Sequence, residues 1–406
     1  MIEINRNFAR LPGSYLFTET AKKAELWQKA NEDKLLIRMG IGDVTLPIPD
    51  VIAQAMVQAS REMGEAKTFR GYGPEQGYAF LREAICQIEY AARGIGISPD
   101  EIFVSDGIKS ECGSILELFG RENIIGLCDP VYPAYIDAAI ITGYAGRLDP
   151  ENGSWSNLRY LPCLAVNGFV PAVPDERLDL VYLCFPNNPT GAMATAEQLQ
   201  KWVCWANDTG AILLFDGAYE AFIKDESLPH SIYEIKGAET CAIELRSFSK
   251  QAGFTGLRCG YTAIPKALKR GGAQLHQLWK RRQSGRMNGV SYVVQRGAQA
   301  IFTSEGQQQV QRHVAYYQEN AKLITGALRE AGYAVLGGEN SPYVWVKTPD
   351  GMSSWDFFDR LLNKCGVLTT PGRGFGSCGE GYIRFTAFGT RDDVEEAMER
   401  IRKLHR

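Results

Sequence analysis

Residues 247–260, "SFSKQAGFTGLRCG", place two small hydroxyls ahead of Lys250 and an arginine, Arg258, beyond it, with glycines between. Most lysines are solvated surface groups. Lys250, however, ends a run in which Cys241, Ile243 and Leu245 recur at period two, the pattern of a β-strand. A lysine at a strand's end, ringed by Ser247, Ser249 and glycine, is aimed into a cleft. Partial desolvation there lowers its pKa and lets the amine attack a carbonyl to form a Schiff base. Asp216 closes "AILLFD" and reads either as a helix N-cap or as the carboxylate that keeps a pyridine nitrogen protonated, so that the ring acts as an electron sink. Tyr219 then suits the phenolic oxygen of such a ring, or else a half-buried core position. Gly107-Ile108-Lys109 opens a helix whose free N–H groups favour an anion. Ser247 and Ser249 add hydroxyls, and Arg258 a two-pronged cation; helix capping and a surface arginine are the competing readings.

The elements that must position these groups are predicted to alternate from about residue 100. Short apolar runs such as "EIFVSDG", "NIIGLCDP", "LDLVYLCFPNNPTG" and "AILLFDGAY" each lead into a helix or turn, as expected for an α/β fold with a mainly parallel sheet and helices on both faces. Ligands of such sheets sit beyond the carboxyl ends of the strands. Ser105-Asp106-Gly107, Asp129-Pro130, Pro186 to Pro189, Asp216 and Ser247 to Lys250 all follow strands, so one cleft is expected to gather them. After about residue 305 the pattern becomes a long amphipathic helix, "PYVWVK", another helix and "EGYIRFTAFG", a smaller α+β unit. The expected division is 1–50 (an arm and part of the small domain), 51–305 (large domain) and 306–406 (small domain). "GFGSCGEG" has the GxGxxG spacing but no βαβ unit around it, and reads as a flexible turn.

Composition narrows the chemistry. A chain of 406 residues with 45% hydrophobic residues builds sizeable cores, and a net charge of −3 gives no electrostatic case for nucleic acid. No apolar run is long enough to cross a bilayer and the N-terminus lacks a signal-peptide core, so the expected location is the cytoplasm. Ten cysteines without a CxxC pair read as reduced thiols, and four isolated histidines offer neither metal ligands nor a histidine-based triad.

"FPNNPTG", "FDGAY", "SFSK" and "GLRCG", in that order, resemble the signature of fold-type I aminotransferases, which use pyridoxal phosphate. "GSYLF", "GIGDVTLPIP", "GYGPEQG", "SDGIK", "DPVYPAY", "MNGVSY", "PYVWVK" and "GYIRFTAFG" extend the resemblance over nearly the whole chain to the LL-diaminopimelate aminotransferase family. The resemblance implies that Lys250 carries the cofactor, that Asp216 pairs with the pyridine nitrogen, and that Tyr219 and Asn187 meet the phenolic oxygen. It implies that Tyr132 stacks on the ring. Ile108, Lys109, Ser247, Ser249 and Arg258 would hold the phosphate, joined by Tyr72 from a second subunit, and Asn288 would complete the cofactor set. Such sharing implies a homodimer. Arg384 would clamp the substrate's α-carboxylate, with Tyr15, Gly42, Glu75, Lys109, Tyr132, Asn187 and Asn288 lining the rest of the substrate site. Glu75 would receive the distal ammonium, and Lys109 and Asn288 the distal carboxylate.

The chain departs from the family pattern at three places: Ile108 and Gly217 where alanine is expected, and Arg286-Met287 where lysine-phenylalanine is expected. They bear on the substrate more than on fold or cofactor. The implied reaction is amino transfer between LL-diaminopimelate and 2-oxoglutarate. The competing readings are the same cofactor with lysine or another donor, a β-elimination, and a silent pyridoxal-phosphate regulator. The last needs a DNA-binding segment for which the chain has no basic stretch.

Overall fold

The computed structural model describes residues 2–11, 16–149, 154–349 and 351–404. Its first strand, β1 (Ile37–Arg38), is short. The next seven, β2 (Ile102–Ser105), β3 (Ile125–Asp129), β4 (Leu158–Pro162), β5 (Leu180–Cys184), β6 (Ile212–Asp216), β7 (Ala242–Ser247) and β8 (Gly260–Ala263), form one sheet in the order β2-β8-β7-β6-β5-β3-β4. From β4 to β7 the pairing is parallel, while β8 runs antiparallel to both β7 and β2. Strands β3, β5 and β6 are buried at every residue, as parallel strands covered on both faces must be. That is why they appear in the sequence as unbroken apolar runs. Edge strand β4 is half exposed and leaves no such signature.

The register levels the strand ends. Cys184 lies opposite Asp216, and Asp216 opposite Leu245. The loops after β5, β6 and β7 therefore emerge side by side beyond one edge of the sheet. Helix Ala196–Thr209 shows how the sequence fixes its own boundaries. Thr195 and Gln198 each bond the other's backbone N–H, and Gly210, at φ +79°, ends the helix.

Beyond the large sheet, helix Ser304–Glu330 buries Val310, Val314, Tyr317, Ala321, Ile324 and Leu328, a stripe at helical spacing. It packs near a four-stranded antiparallel sheet of Val335–Gly337, Tyr343–Lys347, Tyr382–Thr386 and Thr370–Pro371. Strand β1 pairs in parallel with Val367–Leu368. The Tyr317 hydroxyl accepts the N–H groups of Thr45 and Leu46 at 3.0 and 2.7 Å, so the segment after β1 is held where it overlooks the carboxyl edge of the large sheet.

The glycine-rich "GFGSCGEG" forms two tight turns, Gly372–Phe375 and Ser377–Gly379, and no dinucleotide fold surrounds it. It is nevertheless tethered. Asp129 accepts the Ser377 hydroxyl at 2.5 Å and the Cys378 N–H at 3.1 Å, which takes Asp129 out of the cleft that the sequence expected it to line. Among the described residues, no helix is long and apolar enough to cross a membrane and no group of His, Cys, Asp or Glu could hold a metal ion.

Candidate active site

A cavity of about 460 Å³ opens beyond the carboxyl ends of β5, β6 and β7. Lys250, three residues after β7, reaches into it and donates to the carbonyl of Gly42. Burial pulls the pKa of this amine down to about 8; Asp43 opposes the fall, and Arg384 and Arg258 add to it. Gly42 is confined to glycine by the close approach of the Tyr343 hydroxyl, which would lie 2.6 Å from any Cβ there.

Asp216, 4% exposed, ends β6. One of its oxygens accepts the Tyr135 hydroxyl at 2.5 Å and the other the Ala218 N–H at 2.9 Å. Burial raises its pKa to about 6, against the pull of Tyr135, Ala218 and the charge of Arg246. Among the described residues no lysine or arginine forms an ion pair with it. A buried carboxylate that faces a cavity with only neutral donors is poised for a cationic N–H from a ligand.

The Tyr219 hydroxyl lies 2.9 Å from that of Tyr343 and accepts weakly from the Asn188 side chain at 3.4 Å. Burial drives its pKa well above the ordinary phenol value, so it stays a donor. Tyr132 caps helix Pro133–Thr142 and lines the cavity at the helix's open end.

Ile108, Lys109, Ser247, Ser249, Thr255 and Arg258 cluster on one side. The Ser247 hydroxyl accepts the Ser249 N–H at 3.2 Å. Gly107, at φ +109°, leaves room for the Arg258 guanidinium, whose Nη2 would be 2.8 Å from a Cβ. Hydroxyls, a guanidinium and the amides that open helix Ile108–Ser114 give this side the donors an anion would need.

Opposite stands Arg384, 1% exposed, on Tyr382–Thr386. It donates from Nη1 to the side-chain Oδ1 of Asn188 and from Nη2 to the backbone carbonyl of Gly40, both at 2.6 Å, and lies 4.4 Å from the Tyr343 ring centre. The large sheet, the small sheet and the segment after β1 thus each contribute to one guanidinium's placement.

The sequence expectation for Asn187 is corrected. Its side chain is engaged within its own turn, accepting from the Thr190 N–H at 3.2 Å and hydroxyl at 2.9 Å and donating to the Cys184 carbonyl. Asn188 faces the cavity instead. Tyr72, Glu75 and Asn288 are exposed and do not line this cavity. They belong to neighbouring segments, since Gly289 abuts the Pro74 carbonyl at 2.9 Å from its would-be Cβ. Tyr15 lies outside the described residues. Tyr135 and Tyr343 were not anticipated; for Tyr135, its place one helical turn after Tyr132 was the available signal.

The departures also find places. Ile108 lines the cavity and is 8% exposed. Arg286 is held away from it: its Nη2 donates to Glu117 at 2.8 Å, and Arg282 reaches the other Glu117 oxygen at 3.2 Å.

The family model for aminotransferase class I and II matches residues 34–401. The LL-diaminopimelate aminotransferase of Bacteroides fragilis (strain YCH46) is 53% identical over 407 residues, covering 99% of each chain. That of Agathobacter rectalis is 54% identical over 404 residues and the full length of both. The structure of L,L-diaminopimelate aminotransferase from Chlamydomonas reinhardtii superposes with a TM-score of 0.94 at 40% identity, covering 100% of this chain and 99% of that one. With a lysine, a buried carboxylate, an anion cradle and a clamped arginine on one cavity, and likeness of this extent along its length, the chain belongs to the class I and II aminotransferases, in the LL-diaminopimelate aminotransferase family.

Proposed function

We propose that this chain transfers an amino group between LL-diaminopimelate and 2-oxoglutarate, working in the cell towards diaminopimelate for lysine and cell-wall synthesis. The observation that carries this reading is that Lys250, Asp216 and Arg384 open onto one cavity in a chain matched from end to end by LL-diaminopimelate aminotransferases. Enzymes of this family use pyridoxal 5'-phosphate, and the cavity fits it. The unpaired-by-cation carboxylate of Asp216 suits a pyridinium N–H, Tyr219 suits the phenolic oxygen, and the Ser247, Ser249 and Arg258 side suits the phosphate. When bound, the cofactor supplies a sink for the electron pair left on the donor's α-carbon.

The chain's own residues do the rest. Arg384, pinned by Asn188 and Gly40, presents its guanidinium in a fixed pose for the α-carboxylate that every donor and acceptor carries. Lys250 Nζ, less basic than an ordinary lysine, is the group placed to take the α-proton and to return one after the acceptor enters. Asp216 would hold positive charge at the ring nitrogen of the bound cofactor, and the apolar walls around Tyr343 and Phe17 limit water.

Donor specificity tests the reading. Arg286 is already paired with Glu117, so with 2-oxoglutarate as acceptor the expected order of kcat/KM is LL-diaminopimelate first, with lysine and aspartate at least about tenfold lower. Ile108→Ala combined with Arg286→Lys should change that order little. A wild-type protein that ignores LL-diaminopimelate while the double variant accepts it would retain the fold and lose the named activity.

We further infer a homodimer with shared sites. Support comes from Tyr72, Glu75 and Asn288, which stand on the surface, Tyr72 at 90% exposure, outside their own chain's cavity. Mixing inactive Lys250→Ala with a Tyr72→Phe, Glu75→Ala, Asn288→Ala variant should restore about one quarter of wild-type turnover, since each mixed dimer regains one complete site. No recovery after subunit exchange, with mixed dimers demonstrated by mass, would place those three residues outside the partner's site.

A further inference from the structure

Strand β7 has a second face. Between Ile243, Leu245 and Ser247 stand Glu244 and Arg246, buried to 0% and 5% exposure. Arg246 donates from Nη1 to the His230 carbonyl at 2.8 Å and from Nη2 to Glu89 at 2.9 Å, and Nη2 lies 3.2 Å from Glu220. Glu220 also receives Arg93 at 3.1 Å and touches His230 Nδ1 at 2.5 Å. Glu244 accepts the Tyr90 hydroxyl at 2.6 Å.

Buried ionic networks of this kind add little net stability over well-packed apolar residues, but they demand one geometry, because removing a member strands the others without a counter-charge. The geometry demanded here borders the active site. Glu220 directly follows Tyr219, and its N–H closes the turn back onto the Gly217 carbonyl at 3.2 Å. Arg246 directly precedes Ser247. A Cβ on Gly217 would lie 3.0 Å from Arg246 Cδ and 3.1 Å from Nη1, so the arginine lies against the backbone that follows Asp216.

We propose that Arg246 is a positioning residue for amino transfer: by gripping Glu220 and Glu89 together it fixes the turn carrying Asp216 and Tyr219 against the strand end carrying Ser247 and Lys250. The proposal rests on the active-site reading above. Its logic needs arginine, since one planar fork reaches three acceptors on separate segments and a lysine ammonium cannot reproduce that geometry. Small displacements of groups set around a reacting centre cost rate steeply, up to about 10²-fold for 1 Å.

Arg246→Lys and Glu220→Gln test it, each as holoenzyme for kinetics and as apoprotein for melting and for titration with pyridoxal 5'-phosphate. Arg246→Lys should lower kcat at least about tenfold and weaken cofactor uptake by the apoprotein by a similar factor. KM for the amino donor should stay within about twofold, because Arg384 and its partners are untouched. Glu220→Gln should move the same quantities in the same direction by less. Lowered melting temperatures with wild-type kcat and cofactor affinity in both variants would overturn the proposal, leaving Arg246 a purely structural residue. If Arg246→Lys does not fold, Glu220→Gln decides alone: reduced kcat and affinity uphold the proposal and unchanged values overturn it. Wild type run in parallel separates the two readings, since wild-type protein that binds no cofactor and turns over no donor would refute the active site itself.

Discussion

Lys250→Ala is expected to lower turnover by about 10⁴-fold, the upper range for removing a positioned acid–base group, while the protein still folds and admits cofactor. Borohydride reduction of the wild-type holoenzyme followed by peptide mapping should place the label on Lys250, and a label on another lysine would refute the assignment. The depressed basicity gives the expectation a pH signature. With its pKa brought from 10.5 to about 8 by burial, the amine is cationic and unreactive below pH 8. Cofactor capture by the apoprotein should therefore rise with pH up to about 8 and level off above it. A rate still climbing tenfold per unit between pH 9 and 10 would mean an ordinary, solvated lysine.

Asp216→Asn should bind cofactor yet lose about 3 kcal/mol of transition-state stabilisation, more than 100-fold in kcat. The amide oxygen still accepts from the Ala218 N–H, and its NH2 can donate to the Tyr135 hydroxyl in place of the bond it loses, so the turn survives while the negative charge does not. Near-normal turnover would reduce Asp216 to a turn residue. A second consequence concerns the cofactor-free protein. Because the folded-state pKa is raised, from 3.8 to about 6, the carboxyl's contribution to stability is fully present below pH 4 and is lost as pH rises through 6. Apoprotein melting temperatures of wild type should accordingly fall relative to Asp216→Asn across that interval, and parallel curves would show that the carboxyl is not desolvated.

Lys250, Asp216, Ser247 and Ser249 were legible because each closes or follows an apolar run, and the ends of buried parallel strands converge. Direction was not legible: the run that becomes β8 carries nothing that marks it antiparallel to its neighbours. Edge strand β4 escaped because only Leu158 and Leu161 of its five residues are buried, a spacing that carries no strand signature. Asn187 and Asn188 are chemically identical, and only the fold of the turn decides that the first bonds Thr190 and the second meets Arg384. The alternation in β7 marked one apolar face correctly. It could not reveal that the polar face is buried too, because the counter-charges come from Glu89 and Glu220, far away in sequence.

The bond between Arg384 and the Gly40 carbonyl spans 344 positions along the chain. A ribosome that has released everything through β8 has already delivered Lys250, Asp216 and the anion cradle, but not the arginine that recognises the donor's carboxylate. The nascent chain therefore carries the residues for the cofactor before it carries substrate recognition, and a contact of this sequence separation costs loop-closure entropy before it rewards folding. Competence for amino transfer should arrive as one of the last steps of the protein's maturation, when the two ends of the chain meet over the cavity.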